Sequence, residues 1–314
     1  MMAAMKLSRR SFVHTGAAAG LGFGAAACAT PSPSAQPAAP AASQSSPGVP
    51  SAIASLKSMT ADVKPISKDE RAARLAKAQD LMARNKIGAM YLEGGSSLFY
   101  FTGVRWGLSE RPFVCVVPQK GEPAWVCPGF EEERARELVG KTAEVRVWQE
   151  DESPYKQVAG ILKDRGAAGG KVAVEERLRY FIFSGVKKES PGTDFVDAEI
   201  ITAGCRMIKS PAELALMQKA SDITIEAFRA AFQTFKAGMT QGELRANIEA
   251  AHRALGAPGG SASVSFGMFT AFPHGSIEPQ KLKEGDVIQV DGGCSIEGYP
   301  VSYTHLTLPT ILLV

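Results

Sequence analysis

The chain has no C-x-x-C pair, no dense run of lysine and arginine, and no excess of charge of one sign once its first residues are set aside. The missing cysteine pair excludes a zinc knuckle. The missing basic run excludes an electrostatic footprint for nucleic acid. Formal charge is +3, from 35 basic and 32 acidic side chains. Lys6, Arg9 and Arg10 all precede the first acid, Asp62, so residues beyond 29 carry 32 basic against 32 acidic groups. Charge is also missing at the other end, where no Asp, Glu, Lys or Arg comes after Glu297. The remaining composition is ordinary: 45% apolar and 21% charged residues over 314 positions, enough for two domains.

The first 29 residues read as an address. Arg9 and Arg10, in the run Ser8-Arg9-Arg10-Ser11-Phe12, precede the small-residue stretch 16–27, and Ala27-Cys28-Ala29 offers a cleavage point. That stretch falls short of the ~20 apolar residues needed to span a bilayer. The arginine pair resembles a Tat signal, so an exported protein of the periplasm or cell envelope is expected, with the Tat machinery as a partner. Cys28 stands where a lipoprotein would be lipidated, and lipid anchoring is left open. Residues 30–65, rich in Pro, Ala and Ser, read as a linker.

Four further cysteines are present. Cys115 and Cys127 lie in two strand-like runs around "PQKG", and a turn centred on Gly121 would set them face to face. A disulfide is then geometrically open, but two buried thiols are the expected state.

Alternating elements predict a mixed α/β domain over 66–204. Its first helix starts at a capping box of Ser67 and Glu70 and turns Leu75, Leu81 and Met82 inward. A second, α+β domain is predicted from 205. Ser210, Pro211 and Glu213 start a long helix with a stripe of Leu214, Met217, Ser221, Ile225, Phe228 and Phe232. Thr240 and Glu243 cap another, with Leu244, Ile248, Ala251 and Leu255 inside and His252 in a structural role. Strands come next in "ASVSFG", "DVIQVD" and "YPVSY".

Asp291 ends the strand "DVIQVD", sharing a face with Val287 and Gln289, and Gly292 and Gly293 come directly after it. His274 lies on the loop "AFPHGS". Alone, each reads as a turn or loop residue. Together, "IKSPAELALMQKA", "AFPHG" and "LKEGDVIQVDGGCSIEGY" resemble the aminopeptidase P/prolidase metallopeptidases with the pita-bread fold. "LFYFTGV" and "ERPFVCVVPQKGEPAWV" resemble their creatinase/prolidase N-terminal domain. The resemblance implies two divalent ions, manganese or zinc, held by two Asp, one His and two Glu and sharing a hydroxide nucleophile. It implies peptide substrates with proline second, which general peptidases handle badly because proline lacks an amide N–H. Asp291 matches the first metal ligand and His274 a histidine that binds substrate or steadies the intermediate. Members are often homo-oligomers.

The departure is at Ser302, where the resemblance calls for the second Asp, with His305 in place of an Arg. The later His and two Glu have no counterpart in the remaining residues. Residues 205–301 therefore read as the first half of the catalytic domain, and 302–314 as a non-native tail. This chain is expected to bind no metal pair and to be an inactive fragment of a parent peptidase. Two alternatives stand beside it: a metal-free, creatinase-like hydrolase using His274, and a non-catalytic envelope binding module.

Overall fold

The computed structural model describes residues 48–307, with side chains to 305. The expected signal, Cys28 and the first part of the linker lie outside the described residues.

The amino-terminal part runs α1 (Ser51–Ala54), α2 (Lys68–Arg84), β1 (Ile87–Glu93), α3 (Ser96–Thr102), β2 (Val114–Pro118), β3 (Ala124–Pro128), α4 (Glu132–Val139), β4 (Glu144–Trp148), α5 (Pro154–Asp164), β5 (Lys171–Val174), α6 (Tyr180–Glu189), β6 (Asp194–Asp197) and α7 (Glu199–Arg206). Six strands form one sheet in the order β4-β3-β2-β1-β5-β6. The pairs β1/β2 and β2/β3 are antiparallel and the others parallel. Helices cover both faces. Met90, Leu92, Cys115, Val117 and Cys127 meet Ala78, Met82, Phe101 and Ile201 on one side. Ala89, Tyr91, Val114, Val116 and Val126 meet Val158, Ile161, Leu162 and Ile182 on the other. Burial on both faces is why β1–β3 read as continuous apolar runs rather than alternating ones.

The second part comprises α8 (Pro211–Phe232), α9 (Gln241–Ala254), β7 (Ser261–Phe266), β8 (Ile288–Gly293), β9 (Ser295–Ile296), β10 (Tyr299–Pro300) and β11 (Tyr303–Thr307). An antiparallel sheet, β11-β8-β7, and the small hairpin β9-β10 pack on the two helices. Both helices start with a full capping box, at Ser210/Glu213 and Thr240/Glu243. Each box satisfies N–H groups that a helix end leaves open.

Four expectations need correcting. Residues 48–65 are not a free tether. Ile53 is buried with Leu216, Ala220 and Leu255, Met59 N–H donates to the Leu255 carbonyl at 3.0 Å, and Lys219 pairs with Asp62 at 2.9 Å. Five spaced apolar residues, Ile53, Leu56, Met59, Val63 and Ile66, outweigh the polar composition between them.

The buried face of α8 is not the expected stripe. Leu216, Ala220, Ile223, Thr224, Ala227 and Ala231 face inward together with Phe228 of the expected stripe, and Phe232 packs against the core, whereas Leu214 is 54% exposed. The small residues let the β8–β9 turn approach closely, so that the Cys294 thiol reaches the Ala220 carbonyl at 3.4 Å.

Cys115 and Cys127 do not oppose each other. The β2/β3 register pairs Cys115 with Trp125, because the hairpin centres one residue earlier than Gly121. Both thiols are free and buried, and desolvation pushes Cys127 up to about 11.

Finally, Glu70 does not close a capping box. Ser67 accepts the Glu70 N–H at 3.1 Å, but the Glu70 carboxylate turns to Arg74 and Ser210 instead.

Candidate metal half-site

Asp291 lies on the central strand β8, between Ser263 of β7 and Thr304 of β11. Its neighbours Ile288 and Val290 point into the core, so alternation turns Asp291 to the open face. The two glycines after it are steric requirements. A Cβ on Gly292 would lie 2.1 Å from the Ser261 carbonyl oxygen, and one on Gly293 would lie 2.3 Å from that of Val301. Glycine here allows the close backbone approach that brings the chain back past Asp291.

That return places Ser302 beside the carboxylate. Ser302 Oγ donates to Asp291 Oδ1 at 3.1 Å, across 11 residues of chain. The expected position of a second carboxylate therefore is next to the first, but a neutral hydroxyl stands there. His305 pairs with Val290, one register step from Asp291, and its ring lies 5.2 Å from Phe232 on the helix side of the sheet. His274 is exposed, on the loop after the short turn Gly267–Ala271. The next residue, Gly275, directs its Cβ position to 3.7 Å from Ser263 Oγ, so the loop crosses near the strand partner of Asp291.

Among the described residues no group of three or more His, Cys, Asp or Glu is placed to hold a metal ion. One carboxylate engaged by one hydroxyl does not match the oxygen-rich set that a pair of divalent ions requires. The described residues do not fit a metal pair.

A second polar constellation links the two parts of the fold. Arg74, 5% exposed, donates to Glu70 Oε1 at 2.6 Å, to the Tyr100 carbonyl at 3.1 Å and to the Tyr299 hydroxyl at 3.1 Å. Tyr299 donates onward to Glu213 Oε1 at 3.1 Å, and Ser210 Oγ donates to Glu70 Oε1 at 2.7 Å. Arg74 also stacks 4.1 Å over the Tyr100 ring. Burial alone would lower Arg74, but its bonds to Tyr299 and Glu70 outweigh that and hold it above its ordinary value. Burial pushes Tyr100 up to about 12, so it stays a neutral donor to the Cys205 carbonyl at 3.0 Å. Sequence reasoning missed this network. Its one local signal is that Arg74 sits four residues from Glu70 and four from buried Ala78, on the inward face of α2.

Two family descriptions match in order. The Creatinase/Prolidase N-terminal domain covers residues 74–208, and Metallopeptidase family M24 covers 215–308. The chain thus carries a Creatinase/Prolidase N-terminal domain and a stretch of the family M24 peptidase domain. Its relatives include an uncharacterized peptidase of Schizosaccharomyces pombe, 33% identical over 256 residues, covering 77% of this chain and 54% of that protein. The Xaa-Pro dipeptidase of Pyrococcus furiosus is 25% identical over 74% of this chain and 63% of its own length. Among solved structures, dipeptidase PepE from Mycobacterium ulcerans superimposes with a TM-score of 0.71 at 26% identity, covering 78% of this chain and 66% of that one. The architecture is thus a creatinase-type α/β domain followed by part of a pita-bread domain. The chain spans 54% and 63% of the length of these two curated relatives.

Proposed function

We propose that the whole protein is an exported metallopeptidase that removes the residue preceding proline at the amino terminus of peptides. The observation that carries this reading is the place of Asp291 on the open face of β8, directly before the close-packed Gly292 and Gly293, within the stretch matched to family M24. Relatives described as Xaa-Pro dipeptidases support the substrate class. Two divalent ions, manganese or zinc, belong to the proposal for the whole protein. This chain supplies one carboxylate toward them, Asp291, and His274 as a substrate-facing histidine. By itself it binds no metal pair and is inactive. Its first 29 residues direct it through Tat to the periplasm or envelope, and a homo-oligomer is in keeping with the fold.

Residues 302–314 are, in this proposal, a non-native tail. Strand β11 does not argue against this. Its ladder is made by backbone groups that any sequence carries, and Tyr and Thr are good strand formers. The test is to read the source gene across the codons for Gly298 to Val314 and beyond. An Asp codon at 302, with later codons for one His and two Glu, is expected. A confirmed Ser302 with no later His and Glu ligands would overturn the two-metal peptidase.

A further inference from the structure

A cleft of about 670 Å³ opens between α3, the loop after it, the end of α7, the start of α8 and the β9-β10 hairpin. Neither Asp291 nor Ser302 lines it. Its volume is that of a typical small-ligand site, roughly 300–1,000 Å³.

The walls are uneven in charge. Arg105, Arg206 and Lys209 line the cleft, and Glu213 is its one acidic wall residue. Glu213 is already committed: its carboxylate accepts from the Ser210 N–H at 2.8 Å and from Tyr299 at 3.1 Å, with Arg74 at 3.7 Å. The cations are held by weaker means. Arg105 stacks 4.0 Å over the Phe99 ring and makes no hydrogen bond among the described residues. Arg206 donates once to a side chain, Ser97 Oγ at 3.1 Å. Lys209 reaches backbone carbonyls, those of Arg206 at 2.5 Å and Met207 at 3.3 Å. More positive charge stands behind them, since Arg71 lies 5.0 Å from the centre of the Phe99 ring and Arg134 lies 4.7 Å from that of Trp106. Burial first, and then the neighbouring Arg74 and Arg105, push the Arg71 guanidinium below its ordinary value, a sign of crowded cations.

The rest of the lining is flat and apolar. Phe99, Trp106, Met217 and Pro300 face the space, and Trp106 is braced by stacking on Phe113 at 3.9 Å. Arginine and lysine with free donors select an anion, and charge-assisted bonds to carboxylate are about twice as strong as neutral ones. Aromatic walls select a planar apolar group beside that anion.

We infer that this cleft binds a small organic acid whose carboxylate adjoins an aromatic group, as at the carboxyl end of a short peptide. The carboxylate pairs with Arg105 and Lys209, and the ring packs against Phe99 and Trp106. This goes beyond the peptidase reading and is tested by binding, so either can fail without the other.

The test is calorimetric titration of the purified chain with N-acetylphenylalanine, with its carboxamide, and with acetate. Saturable binding of one acid per chain is expected, with the amide and acetate weaker by about tenfold or more, equivalent to about 1.4 kcal/mol. Arg105→Gln and Lys209→Gln should each weaken the acid severalfold while leaving the thermal midpoint unchanged. Both side chains are exposed, so if one variant unfolds the other still decides. Equal binding of acid and amide, acetate binding as tightly as the aromatic acid, unchanged affinity in the folded variants, or no saturable heat at millimolar ligand would each overturn the assignment.

Discussion

Ser302 and Asp291 stand 3.1 Å apart, hydroxyl to carboxylate, on the end of β8 and the chain leading into β11. In the proposed reading, the backbone here would set two ligand positions side by side. What this chain lacks there is a second negative charge, not a suitable path of the chain. Ser302→Asp should therefore create a divalent-cation site. Manganese affinity should rise by about tenfold or more over the unsubstituted chain. Titration followed by electron paramagnetic resonance reads this directly, and equal affinity in the two proteins would show that position 302 is not a ligand position.

The buried pair of Arg74 and Glu213 gives a stability prediction. Glu213 is 2% exposed, so Arg74→Leu leaves a carboxylate buried without its cation. The cost of breaking such a pair is about 3–5 kcal/mol. Tyr299→Phe removes only hydroxyl bonds and should cost about 1–2 kcal/mol. Urea denaturation should rank the two in that order. Equal losses would mean that the network is hydroxyl-centred instead.

His252 sets a pH dependence. It is fully buried, with Nδ1 2.9 Å from the Ile248 carbonyl, Nε2 without a partner among the described residues, and Phe228 edge-on at 6.2 Å. Burial holds its pKa below the ordinary 6.5, partly offset by the bond to Ile248. Below 6.5 the unfolded chain takes up a proton that the folded chain refuses, so folding stability falls as pH drops through that value. Thermal midpoints from pH 7.5 to about 5.5 should decline, and His252→Gln should flatten part of the decline. An identical slope in both proteins would remove His252 as its source.

Gly292→Ala tests the close strand approach. The added methyl meets the Ser261 carbonyl and the Ala262 Cα at 2.1 and 2.5 Å. Overpacking of this kind costs about 1–3 kcal/mol. An alanine at Gly107, where nothing lies within 4 Å, should cost less, and chemical denaturation of both variants makes the comparison.

Much of this was legible where a local rule decides the outcome. Ser210 and Glu213 announced a helix start, and the alternation of β8 announced which way Asp291 faces. The inward face of α8 was not legible, because two stripes on that helix satisfy the same period. The larger side chains suggested one, and packing against the Cys294 turn selected the other, in which four alanines stand among larger residues. Composition hid the docking of 48–66 in the same way, since five apolar residues among prolines and serines carry the contact. Glu70 shows a different limit. Its cap role is local, but its partner Ser210 is 140 residues away, and no window of sequence contains both.

The most direct test of the account is manganese titration of the purified 314-residue chain, followed by an assay of Ala-Pro hydrolysis with and without chelator. With Asp291 facing Ser302, no stoichiometric metal pair and no release of alanine are expected. Two ions bound per chain, together with chelator-sensitive hydrolysis, would contradict it.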